Sequence, residues 1–367
     1  MDDEKYMRIT LSLASKGRGT TSPNPMVGAI IVKDNIIIGK GYHRKAGTPH
    51  AEILALRDAG NNAEGGTLYV NLEPCCHIRK LTPPCTKEII ASRIKRVAIG
   101  MIDPNPEVSG QGIKELKKAG IEVDYNILQN DAERLNEVFT KYITTERPFV
   151  IMKIASSLDG KAALADGTSQ WITGEYARGY VHRLRNDVDA VMVGIGTVNK
   201  DDPLLTTRLG KRKGKDPVKV IVDSRLSIQP TAKVLNQGSE IRVYIATTKR
   251  ADRDKIKQIE KRGCEILIID SEDEKEKVDL SELMRILGEK KITSLLIEGG
   301  SEINASALKN GIVDKVIFMI APIIIGGHNS KGSVGGISPE RLSDSAKIRD
   351  IKIKRLGEDI IAEGYIS

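Results

Sequence analysis

The chain is expected to fold as two α/β domains. Three observations point there: 367 residues exceed what one hydrophobic core usually organises, apolar runs of strand length alternate with amphipathic runs of helix length, and a polar, proline-containing segment interrupts the pattern near residue 146. Composition agrees, since 40% hydrophobic and 29% charged residues is ordinary for a folded, water-facing chain.

Taken in order, "YMRITLSLASKG" carries apolar residues at helical spacing and closes on glycine. "VGAIIVKDNIIIGKGYH" reads as two strands around a Lys-Asp-Asn turn, "HAEILALRDAG" as a helix, and "GTLYVNL" as a strand running into a cysteine-rich stretch. A helix over 86–92, the strand "RVAIGMI", the helix "GQGIKELKKAG" and the strand "IEVDYNIL" follow, and one amphipathic helix is predicted over 130–144. The alternation suggests a largely parallel sheet covered by helices. "TTERPF" marks the boundary between residues 1–145 and 146–367. The second part opens on "FVIMKIASSLDG", alternates strands with helices over 250–262 and 279–290, reaches "SLLIEGG" and ends in strand-rich sequence.

Several function classes are disfavoured. The net charge of +8 divides into about +3 for residues 1–145 and +5 for the rest, and aromatics are only 4%, so neither the basic face nor the stacking platform of a nucleic-acid binder is present. A modest positive bias suits phosphorylated small molecules. Apolar runs such as "KVIFMIAPIIIGG" are too short to span a bilayer, and the acidic start "MDDEKYMRIT" lacks the layout of a signal peptide, so a cytoplasmic location is expected. There, cysteines are ligands or catalytic groups more often than disulfides.

"LEPCCHIRKLTPPC" (72–85) holds three of the four cysteines. A hydrolytic zinc takes three protein ligands, leaves a position for water, and needs a separate acid/base group. His50, Cys75 and Cys85 supply such ligands, and Glu52, two residues beyond His50, supplies the proton-shuttling group. His-x-Glu followed by Pro-Cys is the pattern of zinc deaminases acting on amino-substituted rings. A zinc-stapled scaffold would have no use for Glu52 and would normally take four protein ligands. An RNA-acting deaminase would share the motif but require the basic, aromatic face that is missing. Cys264, at a strand entry, reads as core packing.

In the second part no strand–GxGxxG–helix fingerprint occurs. "IEGGSEINASAL" and "GIGTV" place glycines between a strand and a helix, where backbone N–H groups can meet a phosphate, though glycine there is also ordinary chain turning.

The stretches "TTSPNPMVGAIIVKDNIIIGKGYHRKAGTPHAEILAL", "LEPC…TPPC", "RVAIGMIDPNPEVSGQGIKELKKAGIEV", "SLDGKAALADGTSQWIT" and "DDPLLTTR" together resemble the bifunctional riboflavin-biosynthesis deaminase-reductases, over essentially the whole chain and in the family's order. The resemblance implies a cytidine-deaminase-like αβα domain followed by a dihydrofolate-reductase-like α/β domain. It also implies zinc-dependent deamination of 2,5-diamino-6-ribosylamino-4(3H)-pyrimidinone 5′-phosphate, then NADPH-dependent reduction of the ribosyl group to ribityl, and a homodimer or higher oligomer through the reductase domain.

By the same resemblance His50, Cys75 and Cys85 take the zinc positions and Glu52 the proton-donor position, with Cys76 a bystander because "LEP" precedes Cys75. Asn24, His43 and His77 fall among substrate-side groups, Asn24 competing with a plain turn role between two prolines. Nine residues separate Cys75 from Cys85 where the family usually has eight, so Arg79 and Lys80 compete for the substrate phosphate. Ala155, Trp171, Thr197, Asp201, Ser224, Gly300, Ser301, Glu302, Ile303 and Asn304 fall on NADP-contact positions. Ser169, Arg185, Leu205, Arg208 and Glu298 fall on substrate-contact positions, Arg185 and Arg208 as a phosphate clamp. Trp171 has core filling as its competing role, and Lys153, which could protonate the opened sugar, has that of a sheet-edge lysine.

Overall fold

A computed structural model describes residues 2–76, 83–210, 214–235, 241–270 and 277–367, and the chain divides into two compact units, Met1–Glu146 and Arg147–Ser367. Among the described residues no helix is long and apolar enough to cross a membrane.

The first unit runs α1 (Asp3–Ala14), β1 (Gly28–Lys33), β2 (Ile36–Tyr42), α2 (Ala51–Ala59), β3 (Thr67–Leu72), α3 (Cys85–Ala91), β4 (Arg96–Met101), α4 (Gln111–Lys118), β5 (Glu122–Asp124), α5 (Gln129–Leu135) and α6 (Glu137–Thr145). Asp34 and Asn35 turn β1 into β2 with positive φ, a conformation that short polar side chains tolerate. The sheet order is β2-β1-β3-β4-β5, and it is mixed rather than largely parallel: β1 pairs antiparallel with β2 and β3, while β3, β4 and β5 are parallel. Alternate residues of β1 enter opposite cores, Ile30 and Val32 beside Tyr6 and Tyr69, Ala29 and Ile31 beside Ala55 and Ile89.

Glycines set how closely the site-bearing helices approach. A Cβ on Gly39 or Gly41 would stand 2.3 and 2.5 Å from the carbonyl oxygens of Ala55 and Ala51, so only glycine lets α2 lie against β2. The expected helix over 130–144 is two helices that meet at buried Asn136, whose backbone leaves helical geometry at φ −104° and ψ 20°.

The second unit comprises β6 (Phe149–Ser157), β7 (Lys161–Ala163), α7 (Glu175–Asp187), β8 (Ala190–Gly194), α8 (Ile195–Asp201), β9 (Val218–Val222), β10 (Val243–Thr247), α9 (Arg253–Glu260), β11 (Glu265–Ile268), α10 (Leu280–Glu289), β12 (Ser294–Ile297), α11 (Ser301–Lys309), β13 (Lys315–Ala321), β14 (Lys331–Gly332), β15 (Ile348–Leu356) and β16 (Asp359–Ile366). Its main sheet has the order β11-β10-β9-β8-β12-β6-β13-β16-β15, parallel from β11 to β13 and closed by the antiparallel β15–β16 hairpin. The chain steps outward through β8, β9, β10 and β11, then returns to insert β12 beside β8, a reversal that opens a crevice at the strand C-termini. Because β6 lies between β12 and β13, Lys153 is not a sheet-edge lysine.

Candidate active sites

In the first unit the start of α2, the turn after β3 and the start of α3 converge. His50 is the extended N-cap of α2, Glu52 lies in that helix's first turn, and Cys85 is the first residue of α3. The carbonyl of Cys75 accepts from the N–H of Thr86 at 3.3 Å, fixing the two cysteine segments together. A Cβ on Gly112 would stand 2.2 Å from the Pro74 carbonyl, so α4 braces the same turn. The carboxylate of Glu73 accepts from the backbone N–H groups of Asp103, Gly110 and Ile113 and holds the neighbouring loop.

His50 Nδ1 lies 3.2 Å from Cys85 Sγ and 3.6 Å from Cys75 Sγ, and the three donor atoms all fall within 4.8 Å of one another. Ligand atoms of a tetrahedral zinc stand about 3.5–3.8 Å apart, so this donor set fits the ion and leaves a fourth position open. The hydrogen bond from Cys85 holds the Cys75 thiol down to about 3 against its burial, with His50 adding to the effect, and Cys75 in turn pushes Cys85 up. Two sulfurs sharing a proton beside an imidazole form a natural cation site. Glu52 is buried, its Oε2 has no hydrogen-bond partner, and burial raises its carboxyl above the ordinary range. Cys76 stands outside the three-ligand group.

His50, Glu52 and Cys75 border a cavity of about 230 Å³ that Asn24 and His43 also line. His43 Nδ1 faces the Pro49 carbonyl at 3.4 Å and Nε2 faces the Asn24 side-chain amide at 3.1 Å. Since a carbonyl only accepts, Nδ1 carries the proton and Nε2 accepts from Asn24. Asn24 serves the turn as well, its N–H donating to Thr21 O at 2.8 Å. Asp103, Asn105, Phe139 and Tyr142 line the cavity too, and sequence reasoning gave them no role. For the first two a signal existed, a polar "DPNP" directly after a strand whose C-terminal end faces the site. His77, Arg79 and Lys80 lie outside the described residues.

In the second unit a cavity of about 880 Å³ opens at the crevice. Ala155, Trp171, Thr197 and Asp201 line it, as does the whole segment Gly300 to Asn304. Ser169, Arg185, Leu205, Arg208 and Glu298 line it as well. Ser224 does not: its Oγ accepts from Val278 N–H and its carbonyl from the Thr248 hydroxyl, bracing two loops. Trp171 fills no core, being 68% exposed with the Arg178 guanidinium stacked 4.8 Å from its ring centre.

Glu298 is the electrostatic centre. It accepts two bonds from Arg185, Nε to Oε1 at 2.6 Å and Nη2 to Oε2 at 2.9 Å, with Lys153 Nζ 3.5 Å from Oε2. Burial would raise this carboxyl, but the Arg185 and Lys153 charges outweigh it and hold Glu298 below its ordinary value. Arg185 Nη1 donates to Thr206 O at 2.9 Å. Arg185 lines the cavity where a phosphate contact was expected, and its fork is engaged by Glu298, whose buried carboxylate demands a partner. Arg208 remains at the cavity, its backbone N–H held by His182 Nδ1 at 3.2 Å, a positioning contact not foreseen from the sequence.

The residues fit a nicotinamide nucleotide: two strand-to-helix turns, at Gly194–Gly196 and Gly299–Ser301, face one cavity. Nothing lies within 4 Å of where a Gly196 Cβ would be, whereas a Cβ on Gly299 would overlap Ile303 at 1.8 Å. The first glycine bares backbone, and the second lets strand meet helix.

Residues 1–101 match the family "Cytidine and deoxycytidylate deaminase zinc-binding region" and residues 148–362 match "RibD C-terminal domain", which defines the class: a zinc-binding deaminase domain joined to a reductase domain in one chain. Riboflavin biosynthesis protein RibD of Aquifex aeolicus is 45% identical over 359 residues, covering 98% of this chain and 97% of that protein. The Escherichia coli K12 RibD is 38% identical, with 98% of both chains covered. Among solved structures, Acinetobacter baumannii RibD superposes with a TM-score of 0.88 at 36% identity, covering 100% of this chain and 99% of that one. The Thermotoga maritima diaminohydroxyphosphoribosylaminopyrimidine deaminase/5-amino-6-(5-phosphoribosylamino)uracil reductase gives 0.85 at 36% identity, with coverage of 100% and 99%. The chain belongs to the RibD family and is a bifunctional deaminase and reductase of riboflavin biosynthesis.

Proposed function

We propose that residues 1–145 remove the exocyclic amine of 2,5-diamino-6-ribosylamino-4(3H)-pyrimidinone 5′-phosphate and that residues 146–367 reduce the ribosyl group of the product with NADPH. The observation that carries the first step is the group His50, Cys75 and Cys85 beside Glu52, whose Oε2 is buried and unpartnered at the edge of a cavity. Zinc held by those three ligands supplies a water of lowered pKa. Glu52 takes the two protons of the attacking water in turn, passing the first to a ring nitrogen and the second to the amine, which departs as ammonia. Asn24 and His43, fixed to each other, orient the ring.

In the reductase cavity Gly300 to Asn304, Thr197, Asp201, Ala155 and Trp171 hold the cofactor, which when bound supplies the hydride. Ser169, Leu205, Arg208 and Glu298 orient the substrate, and Lys153 gives a proton to the opening sugar while Arg185 keeps the Glu298 carboxylate aimed. Product masses after incubation of the purified protein with the diaminopyrimidinone ribosyl phosphate test both steps. Deamination alone is expected without NADPH, and the added mass of two hydrogens with it. Return of unaltered substrate in both cases overturns the proposal.

We further place the protein in the cytoplasm, which suits its free cysteines, as a homodimer through the reductase domain. The edge strand β15 leaves Ile351 and Ile353 57% and 72% exposed, more than a lone sheet edge usually shows. A light-scattering mass of one chain would refute the dimer.

A further inference from the structure

One buried side chain ties two walls of the deaminase cavity together and takes no part in the chemistry. Asn136 is 1% exposed and stands at the junction of α5 and α6. Its Oδ1 accepts from the Met26 N–H at 2.8 Å and its Nδ2 donates to the Met26 carbonyl at 3.1 Å. One side-chain amide thus pairs with both polar groups of a single residue, as a neighbouring strand would. Asn71, on β3, binds the same segment from the other side, donating to Met26 O at 3.0 Å and accepting from Gly28 N–H at 2.8 Å.

The segment so gripped carries Asn24, two residues before Met26, and Asn24 is the partner of His43 in the cavity wall. On its other side Asn136 begins α6: its carbonyl accepts from Thr140 N–H at 2.9 Å, and Phe139 and Tyr142 on that helix line the same cavity. No residue of α6 is fully buried, and Phe139 packs against the core only in part. Without Asn136 the helical period would run on through residues 130–144 and the segment at Met26 would lose two hydrogen bonds.

We infer that Asn136 is a positioning residue of the deaminase, setting the distance between Asn24 on one wall and Phe139 with Tyr142 on the other, so that the two walls close on the pyrimidine ring together. This rests on the cavity being the deaminase site. The selected ligand class is a planar amino-substituted ring, held at its edge by the amide of Asn24 and across its faces by the aromatic side chains.

The test uses the full chain with Asn136→Asp, which keeps the bond to Met26 N–H and loses the one to the carbonyl, and Asn136→Ala, which loses both. In each, KM for the diaminopyrimidinone ribosyl phosphate is expected to rise about tenfold or more with kcat within about threefold. Bound zinc and reduction of supplied deaminated product should stay unchanged. The same weakening is expected in direct substrate binding when Asn136→Asp is placed in a Glu52→Gln background that does not turn over. Binding without turnover in the unsubstituted chain would count against the assigned activity alone. Equal binding with and without Asn136 would overturn the inference even if the activity stands. So would a lowered melting temperature with unchanged KM, a fall confined to kcat, or loss of zinc from both variants, each of which makes Asn136 a folding residue.

Discussion

The two sites solve opposite problems. The deaminase site is small, about 230 Å³, and its reactive groups come from a short span, His50, Glu52, Cys75 and Cys85, that converges on one metal position. The reductase cavity is nearly four times larger at about 880 Å³, and its lining runs from Lys153 to Ser333. In the first, side chains carry the chemistry and one carboxyl oxygen is left unpartnered to move protons. In the second, the hydride belongs to the cofactor, and the charged groups are satisfied by one another, Arg185 and Lys153 by Glu298. A site that does its own proton transfer keeps a polar atom unpaired, whereas one that aligns a cofactor with a substrate can lock its charges.

The sharpest break of that comparison is Glu52→Gln. Deamination is expected to fall by about 10³-fold or more, since the amide cannot accept the proton of water. Zinc content and reduction of supplied product should not change. Loss of zinc from this variant would show Glu52 to be a ligand and remove the contrast.

Arg185→Lys probes the locked charges and should have a smaller effect. It keeps the positive charge but loses the fork that grips both oxygens of Glu298. Reduction is expected to fall about 100-fold, mainly in kcat, because a buried carboxylate that has lost its bidentate partner shifts towards Lys153. Deamination should be untouched. A rise in KM with normal kcat would point instead to a direct contact between Arg185 and the substrate phosphate.

The same contrast explains what could be read from the chain alone. His50, Cys75 and Cys85 were legible because zinc restricts its ligands to few residue types, and Glu52 because the pattern fixes its offset from His50. The β1–β2 hairpin was legible from its Asp34-Asn35 turn, but not the antiparallel pairing of β1 with β3, which is made across an intervening helix. The break at Asn136 was hidden by an amphipathic period that runs through it, because its partner Met26 lies 110 positions away. Arg185 was expected at the substrate by resemblance, but its pairing with Glu298 was not legible because the two lie 113 positions apart. Ser224 sat on a cofactor position by resemblance, yet its hydroxyl accepts a backbone bond from residue 278. Residue type is local information and partnership is not.

The mildest test concerns a charge in the reductase half that is not locked. Lys219, on β9, is fully buried, and its Nζ has no hydrogen-bond partner. Burial pushes its pKa down to about 8 from the ordinary 10.5, with Asp216 opposing and Arg185 adding to the fall. Between those two values the unfolded chain binds more protons than the folded one, so stability should rise with pH across that window. Below pH 8 the cost of the buried ammonium is fully present. Lys219→Met removes it and should stabilise the second unit by about 2 kcal/mol at pH 7, with the gain fading as the pH rises from about 8 to 10.5. Thermal melts of the two proteins at pH 7 and at pH 10.5 decide the matter. If the methionine variant melts lower at pH 7, Lys219 is paired in solution, and the reductase half locks this charge as it locks Glu298.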